Sequence, residues 1–158
     1  MESPEGLRRE QVRIVNCRDA AQGMAHSLRA GLLELLRLEP QLDAVVVMLA
    51  DQPFILPAMI DRLVEKMEEN AELDYAAYQL KSGAASPPAL LARTMFGAVL
   101  LLDGDAGARK LFAQSRYKGA VLMPTTQDLL FDVDTPEQLE QARAYYLDRT
   151  GNISVANM

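Results

Sequence analysis

Asp51, Asp132 and Asp134 are the residues around which chemistry is most readily built. Asp51 ends an apolar run in the stretch DAVVVMLADQP (43–53), and Asp132 and Asp134 follow a second run, Leu129-Leu130-Phe131. In open α/β sheets, ligands gather outside the carboxyl ends of the strands. If both runs lie in one sheet with their ends on one edge, the three carboxylates could converge on a hard cation. Magnesium takes one or two carboxylates, several waters and substrate phosphates, so this donor supply suits Mg2+. Such an ion neutralises charge on a reacting phosphate and aligns it for in-line attack. A plainer reading stands beside this one. Asp51 is then a strand-end turn acid, and Asp132 and Asp134 belong to a solvated loop ahead of a helix cap.

The second group of candidates lies at a helix entrance, GMAHSLRAGL (23–32). Free backbone N–H groups at a helix start, with Ser27 as an added hydrogen-bonding group, attract phosphates and polar ligand edges. An ordinary N-terminal turn has the same appearance. His26 has no evident partner and reads as a helix-start residue rather than a base. Cys17 reads as a small core-edge residue and Met24 as packing. Arg109, in a glycine-containing turn, either holds an anionic ligand or caps a local carboxylate such as Asp105.

Composition bounds these options. The chain of 158 residues is long enough for one domain with a core, and its 49% hydrophobic and 24% charged residues are ordinary for a globular protein. A net charge of −6 argues against a general nucleic-acid binder. No apolar stretch is long enough for a membrane helix, and the opening MESPEGLRRE is too polar for a signal peptide, so a cytoplasmic location is the default expectation. One cysteine and one histidine exclude an internal disulfide framework and a cysteine-rich zinc site, and leave a Ser-His-Asp triad a single candidate base.

The elements that must position these residues alternate between strand and helix. After a polar lead-in over residues 1–11, Val12, Ile14 and Val15 read as a short strand ending at Asn16. Leu28, Leu32, Leu35 and Leu36 share one face of the helix that follows. The run 44–49, with Val45, Val46 and Val47 at its centre, lacks polar alternation and reads as a central strand buried on both faces. Pro57 suits the first turn of a second helix, whose buried stripe is Ile60, Leu63, Val64 and Met67. Residues 74–80 read as a strand, 81–88 as a loop, 89–92 as a return to the sheet and 94–102 as a helix. A turn over 103–109 leads into a short helix with Leu111 and Phe112 inside, and 120–123 form a strand. Thr135, Pro136 and Gln138 spell a Thr-x-x-Gln capping box for a closing helix that turns Leu139, Ala142 and Tyr146 inward. With no repeat and no composition break, one domain over 12–149 and a polar tail over 150–158 are expected. The alternation means α/β, and the short stretches near Ala89 and Phe131 leave room for an antiparallel member of a mixed sheet.

Four blocks in fixed order then resemble a known family. They are GMAHSLRAGL (23–32), MLADQPFI (48–55), GDAGAR (104–109) and DVDTPEQL (132–139), and they resemble the MobA-like NTP transferases, which include the molybdenum cofactor cytidylyltransferases and guanylyltransferases. The segment SPPALLARTMF (86–96) is similar to the family's loop and strand before GDAGAR, with Ser86-Pro87-Pro88 where Gly-His-Pro is common. The resemblance covers about residues 12–147. It implies a Rossmann-like mixed sheet flanked by helices, of the glycosyltransferase-A or nucleotidyltransferase type. It also implies transfer of CMP or GMP from CTP or GTP to a phosphate acceptor such as molybdopterin, with release of pyrophosphate. By the same resemblance Asp51 and Asp134 are catalytic magnesium ligands, with Asp132 a third. Gly23 and Ser27 lie beside base and ribose, and Arg109 and the Pro87-Pro88 loop face the acceptor.

The family's opening strand and glycine-rich loop, of the kind Leu-Ala-Ala-Gly-x-Ser-x-Arg-Met-Gly, have no counterpart in these 158 residues. That loop holds the triphosphate with many preorganised donors. The expectation is therefore an N-terminally truncated domain, weakly active or inactive alone, with the Val12–Val15 strand deprived of its neighbours. Exposed apolar edges would favour a second copy or a complementing chain. The alternative is a non-catalytic nucleotide- or partner-binding remnant of such a transferase.

Overall fold

The structure, a computed structural model, describes residues 12–155, with side chains to residue 148 except that of Ala106. The lead-in expected over residues 1–11 lies outside the described residues. Four strands form one mixed sheet: β1 (Ala44–Val47), β2 (Tyr75–Gln79), β3 (Ala85–Ala92) and β4 (Gly119–Leu122). Their order is β1-β3-β2-β4, with β3 antiparallel to β1 and β2, and β2 parallel to β4. The expected antiparallel member near Ala89 is thus present. The helices are α1 (Met24–Leu38), α2 (Pro57–Glu69), α3 (Phe96–Leu100), α4 (Arg109–Phe112) and α5 (Pro136–Val155).

Side chains on the two inner strands alternate between two cores, as the strand period of two dictates. Tyr75, Ala77, Ala89 and Leu91 pack with Leu32, Met95, Phe96, Val99 and Leu111 on the face covered by α1, α3 and α4. Ala76, Tyr78 and Leu90 pack with Met59 and Leu63 of α2 and with Leu129 and Leu130 on the other. Strands buried on both faces are therefore β2 and β3, not β1. Among the described residues the run around Val45 pairs only with β3, and Val46 and Met48 are 36% and 52% exposed. An apolar run with one strand neighbour reads in sequence like one with two, so the expected central strand is an edge strand.

Other departures have local causes. Residues 12–16 make no strand, and Ile14 is 96% exposed, because no strand lies beside them among the described residues. The expected loop 81–88 is shorter, since β3 already starts at Ala85. Pairing with β2 jumps from Ala77↔Ala89 to Tyr78↔Ser86, so Pro87 and Pro88 fall in the irregularity, where the missing N–H groups leave no ladder bond broken. Leu129-Leu130-Phe131 is no strand. A 3-10 turn over Gln127–Leu130 instead pushes both leucines into the core. Residues 94–102 divide into a 3-10 turn, Arg93–Met95, and the short α3. On α2 the stripe is centred on Met59 and Leu63, while Val64 is exposed.

The capping box at α5 is formed as expected. Gln138 N–H donates to Thr135 Oγ1 at 3.2 Å, and Gln138 Oε1 accepts from the Thr135 and Asp134 backbone N–H groups at 2.9 and 2.8 Å. Of the inward residues only Ala142 is buried, whereas Leu139 and Tyr146 are 42% and 61% exposed. Thr135→Ala should cost about 1 kcal/mol, a fall in Tm of roughly 3 °C for a domain of this size, read by thermal melting.

One packing constraint is absolute in kind. Tyr75 lies opposite Gly119 in the parallel β2–β4 pair, and its ring occupies the space that a Cβ at Gly119 would need. The ring is held by its hydroxyl, which donates to the Phe112 carbonyl at 3.2 Å, and by the Phe112 ring at a centroid distance of 4.6 Å. Gly119→Ala should therefore destabilise by about 2 kcal/mol, seen as a lower urea midpoint at unchanged slope.

Candidate functional site

The end of β1 delivers the first candidate. Beyond Val47 the chain runs to Asp51 and turns, and the Asp51 carbonyl accepts from the Val133 N–H at 2.9 Å. The next side chain repeats the link: Gln52 Nε2 donates to Asp132 Oδ1 at 2.9 Å. Gln52 is only 5% exposed. The acid-bearing segments expected to converge are thus neighbours, although the second reaches the site from a 3-10 turn rather than from a strand end. Among the described residues Asp51 Oδ1 is buried with no hydrogen-bond partner, and so is Gln52 Oε1.

The carboxylates do not share one recess. Asp51 lines a cavity of about 620 Å³ with Phe54, Val133, Leu139 and Tyr146. Asp132 and Asp134 line another of about 360 Å³, with Lys81, Ser82 and Gln138. Among the described residues no three His, Cys, Asp or Glu side chains lie close enough together to hold a metal ion. What the site offers a divalent cation is one or two carboxylates, the donor set that Mg2+ or Mn2+ completes with water and phosphate oxygens. The unpartnered buried oxygen of Asp51 fits such a role, since buried polar atoms are ordinarily satisfied.

The remaining candidates gather at the N-terminal end of α1. Gly23 has φ +129° and ψ 163°, and a Cβ there would lie 2.5 Å from the backbone C and O of Gly104. Gly107, with φ +50°, packs in turn on the Met24 sulfur, 2.8 Å from where its own Cβ would be. The helix entrance and the GDAGAR turn are therefore interlocked through their glycines. His26 does have a partner: its Nε2 lies 3.1 Å from Asp103 Oδ1. The Gly104 N–H first, and then His26, hold the Asp103 carboxyl below the ordinary carboxylate range. A depressed folded pKa contributes stability above the unfolded carboxyl's value and loses it as pH falls through the folded one, a small effect here because Asp103 is exposed. Arg29 Nη2 donates to the Leu102 carbonyl at 2.9 Å.

A groove of about 340 Å³ runs along this corner, lined by Ser27, Gly31, Val47, Met48, Pro87 and Ala108 among others. The helix entrance, the strand end, the proline pair and the GDAGAR turn all contribute to its lining. Arg109 donates to Ser86 Oγ at 3.2 Å and makes no ion pair with Asp105. Ser86 is fully buried, so the guanidinium is tied to the strand that carries the prolines. Gly23, Ser27 and Arg109 thus belong to one corner and Asp51, Asp132 and Asp134 to another, with the end of β1 joining them. Gln52, Asp103 and Ser86 were not legible as site residues. Only the place of Gln52 between Asp51 and Pro53 could have drawn attention to it.

Comparison with known proteins bears on the family. The MobA-like NTP transferase domain model matches residues 2–120, a span that includes three of the four blocks and ends before DVDTPEQL. The purine catabolism protein PucB of Bacillus subtilis is 34% identical over 128 residues, which are 80% of this chain and 59% of PucB. A solved homologue of Rv0371c from Mycobacterium sp. strain JC1 aligns with TM-score 0.64 and 25% identity, over 77% of this chain and 58% of that one. Rv0371c of Mycobacterium tuberculosis, solved as a complex with manganese, aligns with TM-score 0.56 and 28% identity, over 73% and 58%. The chain spans less than two thirds of the length of each of these relatives. No helix among the described residues is long and apolar enough to cross a membrane. With a matching family model over most of its length and a relative one-third identical to it, the chain belongs to the MobA-like NTP transferase family.

Proposed function

We propose that this chain carries the acid-bearing part of a nucleotidyltransferase site that moves CMP or GMP from CTP or GTP to a phosphate acceptor such as molybdopterin, releasing pyrophosphate. Asp51 would hold Mg2+ with Asp134, or Asp132 in its place, as a second carboxylate, and the ion when bound would offset the negative charge of the phosphates. Gly23 lets the α1 entrance lie against Gly104, and in this reading Ser27 and the first free N–H groups of the helix would meet the base and ribose. Arg109, fixed through Ser86, supplies a positive charge on the acceptor side. The observation that carries this reading is the single groove faced by Ser27, the end of β1, Pro87 and Ala108, lined by the same chain segment that runs on to Asp51. The 158 residues alone should transfer weakly or not at all, because no glycine-rich triphosphate loop is among them.

A second reading, a remnant that binds a nucleotide or a partner without catalysis, is favoured by the absence of a three-ligand cluster among the described residues. The open side of β1, which has one strand neighbour, suits completion by another chain. Thermal melting with Mg2+ and CTP or GTP, followed by a transfer assay, separates these readings. A nucleotide shift that needs Mg2+ is expected. Robust transfer by the chain alone would overturn the expected impairment, and no shift with any nucleotide would overturn nucleotide binding in both readings.

A further inference from the structure

We propose that Gln52 is a positioning residue, whose amide fixes the Asp132 carboxylate against the end of β1 so that the two acid-bearing segments meet a divalent cation as one unit. The inference rests on the reading of Asp51 and Asp132 as cation ligands. Gln52 is 5% exposed, and its Nε2 lies 2.9 Å from Asp132 Oδ1, across eighty residues of sequence. Turning the amide over would set Oε1 against a carboxylate oxygen, two acceptors face to face, so the donor end must point at Asp132. The main chains are already joined by the Val133 N–H and the Asp51 carbonyl at 2.9 Å. Holding the segments together does not require the side chain.

What the amide adds is the orientation of one carboxylate, with Oδ1 engaged and Oδ2 left outside that bond. Its own Oε1 stays buried without a partner. A residue kept only for packing would avoid that cost, since an apolar side chain of the same length leaves no acceptor unpaired. A group that orients a metal ligand from behind is worth roughly 10- to 100-fold in metal affinity.

Mn2+ binding to the 158-residue chain, followed by electron paramagnetic resonance with CTP or GTP present, tests this. Gln52→Met and Gln52→Leu should each weaken Mn2+ binding by about 10- to 100-fold with an unchanged far-UV circular dichroism spectrum. Gln52→Leu removes the same donor with a different shape, so it remains informative if Gln52→Met folds poorly. The loss from Gln52→Met should not add to that from Asp132→Asn in the double variant, because one acts through the other. Wild-type affinity in the folded Gln52 variants, or fully additive losses, would overturn the positioning role alone. No Mn2+ binding by the wild type would overturn the cation reading beneath it, and this inference with it.

Discussion

Gly23→Ala should lower stability by about 4 kcal/mol, enough to leave a large fraction of a marginal domain unfolded. Two independent costs add. At φ +129° and ψ 163° the backbone occupies a region that is nearly closed to residues with a side chain, at a cost of about 1–3 kcal/mol. The new methyl would also stand 2.5 Å from the carbonyl of Gly104 and 2.8 Å from Asp105 Oδ1. Overpacking of that kind costs about 1–3 kcal/mol, and here the nearest obstacle is backbone that cannot swing aside. Gly31, inside α1, is the control, for nothing lies within 4 Å of a Cβ there. Gly31→Ala should gain up to about 1 kcal/mol from helix propensity. Urea unfolding of the two variants measures the difference, and a Gly23→Ala midpoint equal to wild type would mean that the close approach to Gly104 does not exist. The same contact sets where Ser27 stands relative to Arg109, so a partly folded Gly23→Ala protein should also lose any nucleotide-induced stabilisation.

What the sequence made legible is what local chemistry decides. The capping box at Thr135 and Gln138, the first-turn proline of α2 and the turn before α4 depend on residues three or four positions apart, and they form where expected. The end of β1 was legible as the place for an acid because an apolar run stopping at Asp51 is itself a local signal. Strand order is not local. Nothing in AVVV distinguishes an edge from a centre, and Leu129-Leu130 can fill a core from a 3-10 turn as well as from a strand. The partners that complete the site are the least legible of all. Gln52 reaches Asp132 and His26 reaches Asp103 across about eighty residues, and neither glutamine nor histidine carries a sign of where its partner stands. Family resemblance implied one site for Asp51 and the Asp132–Asp134 pair, whereas the structure joins their segments through a buried amide and leaves the carboxylates in separate recesses.

Asp51→Asn should act in opposite directions with and without ligand. Without ligand, the wild-type carboxylate keeps a buried oxygen with no partner, a cost of about 1–3 kcal/mol for a polar group and more for a charged one. A neutral amide of the same shape should relieve part of it, so the variant should melt at the wild-type temperature or up to a few degrees above it. With Mg2+ and CTP or GTP at a hundred times the dissociation constant, the wild type should gain about 2.7 kcal/mol from linkage. The variant should lose most of that gain, since an amide is a far poorer ligand for a hard cation than a carboxylate. A variant less stable than wild type without ligand would mean that the Asp51 oxygen has a structural partner and that its burial is ordinary. A variant with the full metal-dependent shift would remove Asp51 from the proposed cation site. Only gain without ligand combined with loss in its presence marks a residue whose burial is tolerated for what it binds.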